Sequence, residues 1–144
     1  MMKVSAPSWQ SDARVIGAVS SAHGLSHFFQ LTLPPLFPVM KDEFGVGYAE
    51  LGAVTGVFYA VSGVAQFGAG FVVDRVGASR VLVAGLALLS GATFCVAFAP
   101  GYWALVALAV VAGLGNAVFH PADFAVLNAR STRALRTAKS AGWN

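Results

Sequence analysis

The sequence has 144 residues, of which 57% are hydrophobic and only 10% are charged, with a formal net charge of +3. A soluble domain carries about 25% charged residues, so this composition excludes an ordinary soluble domain and indicates a membrane protein. The positive charge does not predict nucleic-acid binding, because the basic residues flank long uncharged stretches.

Three stretches contain no Asp, Glu, Lys or Arg, at 15–40, 51–73 and 81–122. A bilayer core requires about 20 helical residues, so the first two stretches suit one transmembrane helix each. The third is long enough for two, and the turn signal Pro100-Gly101 divides it. The sequence therefore predicts an all-α membrane protein that forms a single domain. Its four transmembrane helices are expected at 15–38, 50–73, 80–99 and 103–127, followed by a basic tail at 128–144.

Lysine and arginine set the expected orientation, because they are enriched in cytoplasmic loops. The N-terminus, the loop between the second and third spans, and the tail would share one side. That side holds eight of the nine basic residues: Lys3, Arg14, Arg75, Arg80, Arg130, Arg133, Arg136 and Lys139. The opposite side holds only Lys41. Both ends are therefore expected in the cytoplasm, and the tail is expected to be a cytoplasmic loop.

The first span carries a polar stripe. At about 100° per residue, His23, His27, Gln30 and Pro34 fall within a sector of roughly 60°. Such a face is costly against lipid, so it is expected to meet other helices or a water-filled cavity. It either joins helices by hydrogen bonds or lines a pathway for substrate or protons. Three prolines toward its outer end predict a bend, at Pro34, Pro35 and Pro38.

The second span carries small residues along one helical face, which predicts close packing of a neighbouring helix. This stripe comprises Gly52, Gly56, Ala60, Gly63, Gln66 and Gly70. Gln66 is expected to form an interhelical hydrogen bond or, alternatively, to contact substrate. The third span has no ionisable group and is expected to serve as scaffold.

In the fourth span, Asn116, His120 and Asp123 are spaced four and three residues apart and share one face. A carboxylate there requires a partner or a proton. We expect an ion pair between Asp123 and Arg80 that acts as a conformational latch. Pro121 deprives the Ala117 carbonyl of its helical donor and predicts a bend.

The sequence does not predict an enzyme. It has no phosphate-binding glycine loop in a βαβ context, no zinc-ligand spacing and no Ser/His/Asp set in a hydrophilic pocket. His120 and Asp123 have the spacing of a proton-relay or packing pair within a span. No cofactor and no metal are expected.

The loop between the second and third spans contains Gly70, Asp74, Arg75, Gly77 and Arg80. Gly70 would permit close approach of another backbone, Asp74 would lie at a helix terminus, and Gly77 would supply a turn with positive φ. Arg75 and Arg80 are placed to bind lipid phosphates. The pattern resembles the signature of the major facilitator superfamily of secondary transporters, except that Ser79 stands where a second basic residue is usual.

A second resemblance covers about residues 15–130. The Phe-His-Pro-Ala-Asp segment that ends at Asp123 is similar to the fourth span of the fosmidomycin-resistance branch of this superfamily. The segment from His23 to Pro38 is similar to its first span. The resemblance implies proton-driven drug efflux across the bacterial inner membrane. The fourth-span arginine often tied to coupling is absent, since Ala109 stands near its position, so coupling would fall to His23, His27, His120 or Asp123.

The superfamily is built from twelve spans, so the resemblance implies an N-terminal part of a transporter that is inactive alone. Its partners would be the lipid bilayer, a small-molecule substrate, the proton, and either a missing transmembrane half or a second copy. Two alternatives are a small four-span homodimeric multidrug exporter and a non-transporting membrane subunit.

Overall fold

The computed structural model describes residues 9–140, and it describes side chains for residues 13–129 and for Thr132. This part of the chain contains helices and no strands. The α-helices are α1 (Trp9–Thr32), α2 (Phe37–Phe44), α3 (Tyr48–Val76), α4 (Ala78–Cys95), α5 (Tyr102–Asn116) and α6 (Phe119–Ser140). Two short 3-10 turns lie at Pro34–Leu36 and Val96–Phe98. The predicted all-α class is confirmed.

Three helical segments of the described chain are long and apolar enough to cross a membrane: Tyr48–Val76, Ala78–Phe98 and Tyr102–Ala129. They correspond to the second, third and fourth predicted spans. The 24-residue α1 is long enough as well, but its histidines and Gln30 reduce its apolar character, and it is not among the three. The membrane crossing of α1 therefore stays a prediction.

Large apolar side chains cover the outside of the long helices. Phe67, Phe71 and Val64 of α3 and Val83 and Phe94 of α4 are all exposed. In water this surface would be unfavourable, but lipid tails are as apolar as these side chains. The exposed surface therefore fits an integral membrane protein.

The prolines interrupt the first predicted span, as expected. Helix α1 ends at Thr32, Pro34 begins the 3-10 turn, and α2 follows with Pro38 at its start. Proline is tolerated in a first helical turn because the amide hydrogen it lacks would have no partner there. The outer end of the span is thus a separate short helix.

The charged loop is tighter than the sequence suggested, since Gly77 alone separates α3 from α4. Gly77 has φ of 95° and ψ of 136°, which confirms the expected positive φ. Asp74 and Arg75 lie in the last turn of α3 and Arg80 in the first turn of α4, all exposed. No side chain caps α4.

Replacing Gly77 with alanine should destabilise the fold by about 1–2 kcal/mol, because L residues rarely adopt its backbone conformation. The measurement is the free energy of unfolding in mixed micelles. Gly68→Ala is the control, since Gly68 lies within α3 and an added methyl group there has no atom within 4 Å. Equal stability of the two variants would show that the turn does not require glycine.

Helix α5 packs most extensively against α4 and α3, and glycines permit this contact. A methyl group built on Gly85 would lie 2.7 Å from the carbonyl oxygen of Gly115, and one on Gly113 would lie 2.7 Å from that of Phe58. Around this contact lies a core of apolar side chains that includes Leu51, Leu89, Leu105 and Phe119.

The small-residue face of α3 does not form the predicted close contact. Added methyl groups have no atom within 4 Å at Gly52, Gly56, Gly63 or Gly70. The buried residues of α3 include Leu51, Phe58 and Ser62, which lie on a different face of the helix. The expected close approach of another backbone at Gly70 is therefore wrong within the described chain.

The fourth predicted span is broken where Pro121 predicts a bend. Helix α5 ends at Asn116 and α6 begins at Phe119, with Ala117 and Val118 in a turn. Helix α6 continues to Ser140, so the tail that the sequence predicts after this span begins as a helix, and its cytoplasmic location stays a prediction. The alanine, arginine and lysine residues of this segment have high helix propensity, which accounts for the continuation.

Candidate functional site

The described part of the chain brings together two histidines and one aspartate between α1 and α6. His23 Nδ1 lies 2.6 Å from Asp123 Oδ2, and His27 Nε2 lies 3.0 Å from His23 Nε2. The His120 ring packs edge-on against His23, with the ring centroids 5.3 Å apart. We call His23, His27, His120 and Asp123 the histidine–aspartate cluster. All four members belong to the two faces that the sequence predicted, one in the first span and one in the fourth.

The partner of Asp123 differs from the expected one. Its carboxylate pairs with His23, and no arginine side chain that the structure describes forms an ion pair with it. Arg80 is exposed at the start of α4. The expected Asp123–Arg80 latch is therefore wrong: Asp123 is directed toward α1.

Only one of the two carboxylate oxygens of Asp123 has a hydrogen-bond partner within the described residues. Its side chain is 14% exposed, whereas that of His23 is 31% exposed. The second oxygen, Oδ1, is buried and has no hydrogen-bond partner within the described residues. A buried carboxylate with an unsatisfied oxygen is costly unless its charge is compensated.

A second, uncharged network links three helices beside the cluster. Gln30 Nε2 donates to Asn116 Oδ1 at 2.9 Å, and Asn116 Nδ2 donates to Ser62 Oγ at 2.8 Å. Asn116 and Ser62 are buried, so these bonds form away from solvent. We call Gln30, Asn116 and Ser62 the amide network, and it joins α1, α5 and α3.

Sequence reasoning missed two buried serines. Ser62 accepts the Asn116 bond, and Ser26 donates to the His23 carbonyl oxygen at 2.8 Å within α1. A serine is common in membrane helices, so its presence alone carries little information. For Ser62 a usable signal existed, because it shares a helical face with Leu51 and Phe58.

Several predicted site residues lie outside both networks. Gln66 is half-buried and forms no hydrogen bond within the described residues, so its expected interhelical bond is absent there. The loop residues have no hydrogen bond or ion pair to the cluster: Gly70, Asp74, Arg75, Gly77 and Arg80. They form a separate surface feature at the α3–α4 turn.

An open groove of about 390 Å³ runs along the cluster between α1 and α6. His23 and Asp123 supply its titratable groups, and the rest of its wall is mainly apolar: Val15, Ile16, Val19, Ser20, Gly24, Val126 and Leu127. Among the side chains that the structure describes, no three from His, Cys, Asp or Glu are grouped so that they could hold a metal ion. The arrangement can bind and pass on a proton.

Comparison of the sequence with known proteins shows the family of the chain. The family model described as Major Facilitator Superfamily matches residues 19–144. The chain belongs to the Major Facilitator Superfamily. No solved structure gives a significant match.

Two curated relatives support membership of the Major Facilitator Superfamily. The chain is 26% identical over 107 residues to the Fosmidomycin resistance protein of Escherichia coli (strain K12), which covers 74% of this chain and 26% of the relative. It is 27% identical over 103 residues to the Uncharacterized MFS-type transporter YfnC of Bacillus subtilis (strain 168), covering 72% and 25%. The chain thus matches about a quarter of the length of each relative.

Ala109 stands near the position at which the superfamily often has an arginine in its fourth span. Ala109 is buried in α5 and lines a small, partly open pocket of about 40 Å³ with apolar neighbours such as Phe58 and Leu89. Within the described residues, the ionisable side chain that pairs with Asp123 is that of His23.

Proposed function

We propose that this chain is part of a proton-coupled exporter of the Major Facilitator Superfamily, which moves a drug or another small organic solute. The observation that carries the proposal is the 2.6 Å pair of His23 and Asp123 between two helices of the fold. An ionisable pair inside membrane helices is expensive, and in transporters such groups mark proton and substrate pathways. The proposed pathway residues are His23, His27, Gln30, Gln66, Asn116 and His120.

A proton is the coupling ion that this chemistry favours. Imidazole gains and loses a proton near neutral pH, and His23 lines an open groove through which a proton would reach it. The cluster offers a single carboxylate, whereas sodium sites require several oxygen ligands. We therefore assign the driving force to protons and classify the transporter as an antiporter.

The solute class follows from the named relative. The Escherichia coli protein carries the name Fosmidomycin resistance protein, which associates it with resistance to one drug. The present chain shares about a quarter of that protein's length, so we take fosmidomycin as the first solute to test. The mainly apolar groove wall fits a small organic solute with a polar group.

The proposal includes a partner for the polar face. His27 and His120 are exposed in the described chain. Exposed histidines at membrane depth would be unfavourable against lipid, so further transmembrane helices or a second copy would cover them. We place the protein in the bacterial inner membrane because it resembles the Fosmidomycin resistance protein of Escherichia coli. We place both ends in the cytoplasm because eight of the nine lysine and arginine residues lie on that side of the predicted spans.

Growth of an Escherichia coli strain that lacks its own fosmidomycin resistance protein tests this function. A chimera in which this chain replaces the aligned part of that protein should restore growth in fosmidomycin and lower the drug content of the cells. The Asp123→Asn chimera should lose both effects while reaching the membrane in equal amount. Asp42→Asn is the matched control, because Asp42 is an exposed carboxylate of α2, 85% accessible.

The other outcomes would contradict specific parts of the proposal. Resistance conferred by the 144-residue chain alone would favour the four-span homodimeric exporter. No resistance from a chimera present in the membrane would favour a non-transporting subunit. Full resistance of the Asp123→Asn chimera would remove the cluster from the coupling mechanism.

A further inference from the structure

We infer that His27, His23 and Asp123 form a two-position proton site, in which a proton enters at His27, comes to rest on His23 and switches the tautomer of His27. The inference rests on the proposed proton-coupled function and specifies how its pathway would hold the proton. It follows from two hydrogen bonds and from the unequal burial of the three groups.

The hydrogen bonds define where the hydrogens lie before the cluster takes up a proton. An ionised carboxylate only accepts hydrogen bonds, so His23 Nδ1 carries a hydrogen and donates to Asp123 Oδ2 at 2.6 Å. Neutral His23 then has a lone pair at Nε2. The 3.0 Å contact requires one donor, so His27 donates from Nε2, and its Nδ1 carries a lone pair. His27 is exposed in the described chain, so this nitrogen would receive its proton from a water-filled passage between His27 and the helices or second copy proposed to cover it.

Uptake of one proton places a positive charge first on His27 and then on His23, while the heavy atoms stay in place. A proton binds His27 Nδ1 and makes His27 an imidazolium. The hydrogen on His27 Nε2 then passes to His23 Nε2, where a new N–H bond forms as the old one breaks. His27 ends neutral with its hydrogen on Nδ1, and His23 ends as an imidazolium beside the Asp123 carboxylate. One proton has entered and none has left.

The proton rests on His23 because Asp123 is buried. The carboxylate is 14% exposed, and its Oδ1 has no hydrogen-bond partner within the described residues. Without the proton, the His23–Asp123 pair carries an uncompensated negative charge in a poorly solvated site, which is costly. With the proton, the pair is neutral overall. His27 has no carboxylate within bonding distance, so charge is less favourable there.

The other titratable groups nearby do not offer the proton an alternative position. His120 contacts the His23 ring but forms no hydrogen bond to it. On α1 and on α3 and α4, which pack against α1 and α6, the remaining described titratable groups neither line this groove nor bond to the cluster: Arg14, Tyr48, Glu50, Tyr59, Asp74, Arg75, Arg80 and Cys95. His27 and His23 are therefore the two positions that the described cluster offers to the proton.

Nitrogen NMR on the 144-residue chain in lipid bilayers tests the inference directly. The chain has three histidines, so ¹⁵N-histidine labelling gives three imidazole signals, assigned with His27→Gln and His120→Gln. At high pH we expect hydrogen on His23 Nδ1 and on His27 Nε2. On acidification His23 should become the first imidazolium, while the hydrogen of neutral His27 moves from Nε2 to Nδ1.

The variants separate a proton site from a structural contact. Asp123→Asn should abolish the tautomer switch, so that His27 gains its proton without passing one to His23. Asp123→Glu should retain the switch, and so should His120→Gln, which removes the ring contact alone. Where Asp123→Asn does not fold, the wild-type spectrum decides, because His27 becoming the first imidazolium would overturn the inference.

This result is distinguishable from a failure of the proposed function. Absence of the switch together with drug resistance of the chimera would reject the relay and leave the transporter. If the NMR spectra show the tautomer switch but the chimera confers no drug resistance, the proposed transport function is rejected and the proton site stands.

Discussion

Replacing Gly115 with alanine should lower the free energy of unfolding by about 3 kcal/mol, at the upper end of the usual cost of overpacking. The added methyl group would lie 2.8 Å from both the Gly85 carbonyl oxygen and the Leu89 amide nitrogen. Both atoms belong to the backbone of α4, so a rotamer change cannot relieve the clash. The two helices would have to move apart, and the contacts around Leu89 and Leu105 would weaken.

Gly91→Ala is the matched control for this prediction. Gly91 also lies in a long helix of the same pair, but a methyl group there has no atom within 4 Å. Alanine has the higher helix propensity, so this variant should be as stable as the wild type or slightly more stable. Both variants are compared by denaturant titration in mixed micelles. A Gly115→Ala variant as stable as Gly91→Ala would show that α4 and α5 do not approach through their backbones.

The sequence predicted the helices because the rules that govern them are local. Apolar stretches of sufficient length predicted three segments that can cross a membrane, and proline positions predicted both interruptions. Gly77 was predicted in the loop between the second and third spans because glycine readily adopts the positive φ of a turn. Each inference depends on a few neighbouring residues and not on the arrangement of the helices.

The packing faces were harder to predict, because helical periodicity groups residues without showing which group faces inward. The stripe from Gly52 to Gly70 fulfils the small-residue pattern yet has no close neighbour within the described chain. Close approach occurs instead at Gly85, Gly113 and Gly115, which follow no long stripe. Small residues indicate that a helix can approach, whereas the partner determines where it does so.

The sequence indicated which residues belong to the candidate site, but it did not predict which of them form the ion pair. His23 and Asp123 were both expected on inward faces, but Asp123 was assigned to Arg80. The two bonded residues are 100 positions apart in sequence, and no local rule connects them. The break at Ala117 and Val118 also separates the α5 and α6 faces, so a regular helix is a poor guide to the direction of Asp123.

The amide network lies at the interruptions of the broken helices. Gln30 lies in the last turn of α1, and Asn116 is the last residue of α5. Backbone groups at helix ends lack intrahelical partners, and polar side chains near them can fix the chain where it changes direction. The amide network thus joins two helix ends to the continuous α3, while the histidine–aspartate cluster joins α1 to α6 beyond the break.

Replacing Asn116 with alanine should therefore destabilise the protein by about 2–4 kcal/mol, since each buried polar group left without its partner costs about 1–3 kcal/mol. The change leaves Gln30 without its acceptor and the 2% exposed Ser62 without its donor. The measurement is unfolding in mixed micelles, with a double-mutant cycle between Asn116→Ala and Ser62→Ala. Its coupling energy should be about 0.6 kcal/mol, the average for hydrogen bonds between membrane helices.

Gln66→Ala provides the control for the amide network. Gln66 lies one turn beyond Ser62 on α3 and has no hydrogen bond within the described residues, so its removal should change stability by less than about 0.5 kcal/mol. Comparing the stabilities of the two variants distinguishes an amide side chain that forms hydrogen bonds from one that forms none within the described residues. An Asn116→Ala variant no less stable than Gln66→Ala, together with zero coupling to Ser62, would mean that the network does not hold α1, α3 and α5 together. The fixed position of the break between α5 and α6 would then require apolar packing alone.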